Sequence, residues 1–256
     1  MKGKITLIQI LLIFVIVICV VTYLDEHSEK NKDIQKVDEI KTEELIDDPI
    51  AEETSTTSDD AVEENNINRI NELKERNADA VGWIKLFGTA IDYPVLHNTQ
   101  SNAYYLHRNI DKEYSSSGIP FLDYQCKADL SDDNTIIYGH NMRNGTMFHD
   151  LLKYSDKSFY DTHKLIRYDT AIESGTYEIF AVLRTKVGSK NEFKYYNFIK
   201  AKTPSEYDEF VAICIKLSLY KTDIIPKYGD KLLTLSTCSY NTDNERFVVF
   251  AKKINV

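Results

Sequence analysis

The sequence predicts a mainly β (α+β) domain over residues 65–256, an antiparallel barrel or sandwich, behind an apolar N-terminal helix. Three observations carry this expectation. About eight short segments are rich in β-branched and aromatic residues. Most of these follow one another without alternating helices, which argues against a doubly wound sheet. One long segment, 203–222, has full helix signals, as expected where helices only decorate a closed or layered β core.

The elements follow in chain order. Residues 5–24, ITLIQILLIFVIVICVVTYL, carry no formal charge. At about 1.5 Å per residue, such a helix crosses the roughly 30 Å hydrocarbon core of a bilayer. Lys2 and Lys4 precede it, and Asp25 and Glu26 follow, which orients the N-terminus to the cytoplasm and the rest outside. The exit, VVTYLDEH, lacks a small-x-small cleavage site. An uncleaved signal-anchor over residues 1–24 is therefore expected rather than a removed signal peptide.

Residues 25–64 hold sixteen acidic residues against four lysines, a net charge of −12. With the chain total at −9 and two lysines ahead of the span, residues 65–256 are left at +1. The acidity thus belongs to a solvated, disordered spacer that cannot bury enough apolar surface to order itself. It says nothing about the partners of the folded part.

Within 65–256, NNINRINELKERN suggests an amphipathic helix ending near Asn77. WIKLFGTAIDYPVLH reads as two strands around a Gly-Thr turn, SNAYYLHRNI as a short helix or turn, and GIPFLDYQ as a strand. DDNTIIYGHNM is a strand that runs into Gly-His-Asn. MFHDLLKYSDKSFYDTH starts helical and then loops; KLIRYDT and GTYEIFAVLRTKV are strands. In 203–222, Thr203 is the N-cap, Pro204 the first helical residue, and Glu206 completes a capping box. Tyr207, Phe210, Val211, Cys214 and Leu217 share one face, so Cys214 packs as a small hydrophobe. KLLTLSTC and RFVVFAKK close the domain. There is no Gly-rich phosphate loop, no Cys/His spacing of a zinc site, and no basic stripe of the kind that binds nucleic acid.

Cys126, Cys214 and Cys238 lie outside the apolar span, an odd number, so at least one thiol is unpaired or pairs with another chain. Cys238 ends one strand and Arg246 opens the next across the loop SYNTDNE. If the two strands pair antiparallel, both side chains stand at one end of the sheet. A neighbouring cation lowers a thiol pKa, although a cysteine at a strand end is more often simply buried. Of six histidines, His140 leads by position, directly after an apolar strand and a glycine. A thiol nucleophile usually needs such a proton carrier.

The segments WIKLFGTAIDYPVLH, YYLHRNIDKEYSSSGIPFLDY, NTIIYGHNMRNGTMFHDLLKY and TLSTC with the later RFVVFAKK resemble sortases of class B. They do so in the same order and along the whole of 65–256. The specific marks are TLxTC, an Arg opening the last strand, and a His after the central strand; YGHNM with GTMF points to class B. The resemblance implies a sortase-type eight-stranded β-barrel with peripheral helices, preceded by a transmembrane helix. It implies a cysteine transpeptidase on the outer face of a Gram-positive cell membrane, needing no metal or cofactor. Its partners would be sorting-signal peptides of surface proteins and an amino group of a cell-wall precursor or a pilin. Cys238 would be the nucleophile, His140 the acid and base, and Arg246 the oxyanion and substrate holder. Ser236 and Thr237 of the TLSTC motif, with Asn102 and Leu106 at i, i+4, would contact the sorting signal. The capped helix would be the insertion class B sortases carry before the penultimate strand. Two departures stand out: Ser239 follows the nucleophile where some members have an acidic residue, and the loop SYNTDNE is short, so that Arg246 is only the eighth residue after Cys238. A thiol hydrolase using water as acceptor, or a non-catalytic peptide-binding adaptor, are the rival functions.

Overall fold

The computed structural model describes residues 11–24, 28, 35–36, 59–188, 192–238 and 244–254. The chain divides into two compact units, 1–54 and 55–256. In the first, residues 11–24 are helical. Among the described residues no helix is long and apolar enough to cross a membrane. Residues 5–10 of the expected span, His27 and most of the acidic segment 25–64 lie outside the described residues.

The second unit opens with α1 (Asp59–Arg76), which starts inside the segment expected to be a spacer. Its Ile70 and Leu73 are buried, and the guanidinium of Arg69 stacks on the indole of Trp83 at 3.1 Å from the ring centroid. The helix ends where Asn77 leaves it. The Asn77 amide donates to Tyr105 Oη (3.1 Å) and Ile110 O (2.7 Å), and Tyr105 in turn donates to Asp79 (2.5 Å). These buried bonds fasten the helix exit to the segment that later reaches the candidate site.

Eight strands follow: β1 (Ala80–Leu86), β2 (Asp92–His97), β3 (Phe121–Leu122), β4 (Asn134–Tyr138), β5 (Leu165–Thr170), β6 (Ser174–Lys186), β7 (Leu232–Cys238) and β8 (Glu245–Ile254). They close into a barrel in the order β1-β2-β3-β4-β7-β8-β6-β5. Closure leaves no unpaired sheet edge. The barrel is not wholly antiparallel as expected, because β2 pairs β3 and β4 pairs β7 in parallel. Parallel neighbours need a long crossover, and the chain supplies one through residues 98–120 and another through everything between β4 and β7. The strand expected over GIPFLDYQ shrinks to Phe121–Leu122. Its end is fixed by Asp123, whose carboxylate accepts from the Gln125 N–H (2.8 Å) and turns the chain away.

Between β4 and β5 lie a 3-10 segment (His149–Ser155) and α2 (Lys157–Thr162), capped by Asp156 accepting from Ser158 N–H at 2.9 Å. The expected loop there is thus helical as well. Between β6 and β7 comes α3 (Pro204–Leu217). Thr203 Oγ1 accepts from Glu206 N–H (3.2 Å) and Glu206 reaches back to Lys202 N–H (2.8 Å). Tyr207, Phe210, Val211 and Cys214 pack with Phe198 and Phe250 into one apolar cluster against the barrel wall. Leu217, read as part of that face, is 45% exposed because the helix ends there.

Candidate active site

The site is built where β4, β7 and β8 run out of ladder at one end of the barrel. β7 and β8 pair antiparallel with Cys238 opposite Arg246. β4 and β7 pair in parallel with Tyr138 opposite Ser236. Parallel strands advance together, so the two residues after Tyr138, Gly139 and His140, accompany Thr237 and Cys238. Non-ladder bonds hold this alignment: Gly139 N–H donates to Ser236 O (3.2 Å) and Thr237 Oγ1 donates to Gly139 O (2.7 Å). Gly139 has to be glycine, since a Cβ there would stand 2.7 Å from the buried ring of Phe148.

His140 is half-buried, and its Nε2 lies 2.8 Å from Leu106 O. A carbonyl only accepts, so Nε2 carries the hydrogen and Nδ1 is left as the basic nitrogen of the neutral ring. Burial holds the imidazole below its ordinary pKa. The Leu106 carbonyl works in the opposite direction, while the charges of His107 and Arg246 add to the lowering. The ring of His107 stands 5.6 Å from that of His140, and Tyr114 stacks with His107 at 6.5 Å between centroids.

Cys238 is half-exposed, whereas Cys126 and Cys214 are buried. Burial pushes the Cys126 thiol up to about 12 and the Cys214 thiol well above its ordinary value. Both are inert as nucleophiles, which require thiolate. Arg246 is half-buried, and its Nη1 donates to Glu245 O (3.1 Å). The neighbouring Glu245 carboxylate pairs instead with Arg184 at 3.5 Å. Among the described residues no carboxylate forms an ion pair with Arg246. Residues 239–243, including Ser239, lie outside the described residues.

The four expected substrate contacts take different places. Ser236 and Thr237 are buried, the first bonded to Tyr195 Oη at 2.7 Å. Asn102 donates to Asp123 (2.9 Å) and accepts from Tyr124 N–H (2.8 Å). Leu106 is half-exposed beside the His140 ring that its carbonyl holds. Sequence reasoning missed three residues here. Asn141 donates to Cys238 O at 3.0 Å; its position directly after His140 was the available signal. Tyr195 and His107 gave none, because long loops bring them in. Among the described residues no group of three or more His, Cys, Asp or Glu could hold a metal ion.

The Sortase domain family matches residues 84–254. The chain belongs to the sortase family. Sortase B of Listeria monocytogenes is 36% identical over 177 residues, covering 69% of this chain and 70% of that protein. Sortase B of Staphylococcus aureus is 30% identical over 262 residues, covering 100% and 99%. A solved Staphylococcus aureus sortase B–substrate complex superposes with a TM-score of 0.68 at 32% identity, over 74% of this chain and 86% of that one. The chain is therefore a class B sortase: a cysteine transpeptidase that cleaves a sorting motif through a thioacyl intermediate.

Proposed function

We propose that Cys238, His140 and Arg246 carry this transpeptidation and that residues 5–24 anchor the enzyme in the cell membrane. The N-terminus then lies in the cytoplasm and the 65–256 domain outside, joined by the acidic spacer 25–64. The observation that carries the residue assignment is the register. It sets Cys238 opposite Arg246 at the end of β7, with His140 just past the end of the parallel neighbour β4.

Cys238 gives its proton to His140, and the resulting thiolate attacks the carbonyl of a Thr in the sorting motif, forming a C–S bond and an oxyanion. Arg246 holds that oxygen by charge-assisted hydrogen bonds, a contribution made where charge develops. When the intermediate collapses, the C–N bond breaks and His140 gives its proton to the departing amine. An amino group of a cell-wall precursor or a pilin then attacks the thioester and passes a proton to His140; the C–S bond breaks, and the departing thiolate takes that proton back to regenerate the thiol and the neutral imidazole. Asn102 and Leu106 would form the wall along which the sorting signal lies, with Ser236 and Thr237 beneath it. The motif expected is an Asn-Pro-x-Thr-Asn or Pro-x-Thr-Gly type of pentapeptide.

The test is the full chain in detergent with a panel of such labelled pentapeptides, with and without an amine acceptor, beside Cys238→Ala. A peptide cut after Thr and joined to the amine, lost in the variant, supports the proposal and names the motif. Cleavage that ignores the amine would point to a hydrolase. Unchanged function in Cys238→Ala would leave a peptide-binding adaptor.

A further inference from the structure

Past Tyr138 and Ser236 the β4–β7 ladder has no further paired residues, yet His140 and Cys238 lie beyond it. The two bonds at Gly139 hold the strand ends as far as Thr237, and a further bond carries the alignment on to Cys238. Asn141 is 3% exposed, and its two amide atoms are both engaged. Nδ2 donates to Cys238 O (3.0 Å), and Oδ1 lies 2.8 Å from His149 Nδ1. An amide oxygen only accepts, so His149 Nδ1 carries a hydrogen and donates. That donation decides which way the Asn141 amide faces. Turned over, it would set Oδ1 against the Cys238 carbonyl, two acceptors in contact at a buried site, which is costly. The loop carrying both residues is itself fixed. Phe148 N–H donates to His140 O (2.8 Å), and Met147 N–H donates to Tyr93 Oη (3.1 Å).

We propose that Asn141, oriented by His149, is a positioning residue that clamps the nucleophile's strand end to the strand end bearing the proton carrier. It touches neither the substrate nor the thiol. Its effect passes through the Cys238 backbone carbonyl and through His140, its immediate neighbour in the chain. The proposal rests on the assignment of Cys238 and His140 above. Near-attack geometry is sensitive to shifts of about 1 Å, so loosening this clamp should impair steps that need His140 and Cys238 together. Steps that need only the thiolate should be spared.

Two small probes separate these cases on the full chain in detergent. Addition of the Cys238 thiolate to phenyl vinyl sulfone forms a C–S bond and sends the alkene electron pair to the α-carbon, which takes its proton from the His140 imidazolium. Iodoacetamide alkylation displaces iodide and needs no proton donor. Peptide mass mapping reads both at Cys238, and thermal melting reads the fold. Asn141→Ala and His149→Leu are each expected to slow vinyl sulfone addition about ten-fold. Their iodoacetamide rate should stay within about two-fold of wild type, with melting little changed. His149→Asn, whose amide can stand where Nδ1–H stood, should restore most of the vinyl sulfone rate. The proposal is overturned if both probes slow together with a lowered melting point, if neither slows, or if His149→Asn fails as His149→Leu does. His140→Ala is the control. Should it keep the wild-type vinyl sulfone rate, the role assigned to His140 fails first, and the clamp has nothing to position.

Discussion

Cys214 and Cys238 are the same side chain in two settings, and their difference is a lesson in what makes a thiol reactive. Cys214 sits on α3 among Tyr207, Phe210 and Phe250, an apolar cluster that offers a thiolate no counter-charge. Burial alone raises its pKa far out of reach. Cys238 sits at a strand end, half-exposed, opposite an arginine. The packing cluster supplies stability, and on the proposed assignment the ladder's end supplies chemistry.

Breaking the contrast at the reactive end should give the largest effect. Cys238→Ala is expected to lower transpeptidation at least about a thousand-fold, measured as kcat/KM for the cleaved pentapeptide; a variant within ten-fold of wild type would sink the assignment. Arg246→Lys should cost about a hundred-fold or more in kcat, because a lone ammonium lacks the planar fork that holds an oxyanion at two points. Retention of full kcat would mean that the oxyanion is held elsewhere.

At the packing end, Cys214→Ser should leave kcat/KM unchanged and lower stability by about 1–3 kcal/mol through a poorly satisfied buried hydroxyl. Denaturant melts with unchanged m would show it, and a lost activity at full stability would contradict the contrast. A smaller effect is expected at the rim. His107→Gln removes one repulsive charge from His140, so the NMR titration midpoint of His140 should rise, and a midpoint that falls would contradict the stated cause.

The pH dependence of stability has a definite sign. Burial is the main reason that His97 and His140 sit below their ordinary value of 6.5. As pH falls through about 6.5 the unfolded chain takes up protons before the folded one, so these two groups lower stability on the acid side. The double variant His97→Gln, His140→Gln should flatten that slope of melting temperature between pH 7 and 5.5.

Much of this was legible in the sequence, for physical reasons that differ by residue. α3 could be read because Thr203, Pro204 and Glu206 act within one turn, and the 3.6-residue period of its apolar face is local. The catalytic candidates could be read because Cys238 ends a strand, Arg246 lies at the start of the next and His140 follows just past a third, and TLSTC is a compact string. Parallel pairing could not, since β4 and β7 are brought together from distant parts of the chain. Asn102 shows a middle case. It was singled out as a substrate contact, yet its amide is bonded to Asp123 and Tyr124, which no spacing rule foretells. Asn141 was passed over because a polar residue in a loop carries no local signal of a bond to residue 238.

The parallel β4–β7 pair has a consequence for how the enzyme comes into being. β7 is laid down next to last, yet it fills the place between β4 and β8 that closes the barrel. A chain still being synthesised therefore holds His140, the proposed proton carrier, long before Cys238, the proposed nucleophile, is made. Closing so long an intervening loop makes the docking of β7 a non-local step, the kind that slows folding. On the proposed assignment, a chain in which β7 and β8 have not yet entered the wall has no acyl-forming centre, and their entry assembles it.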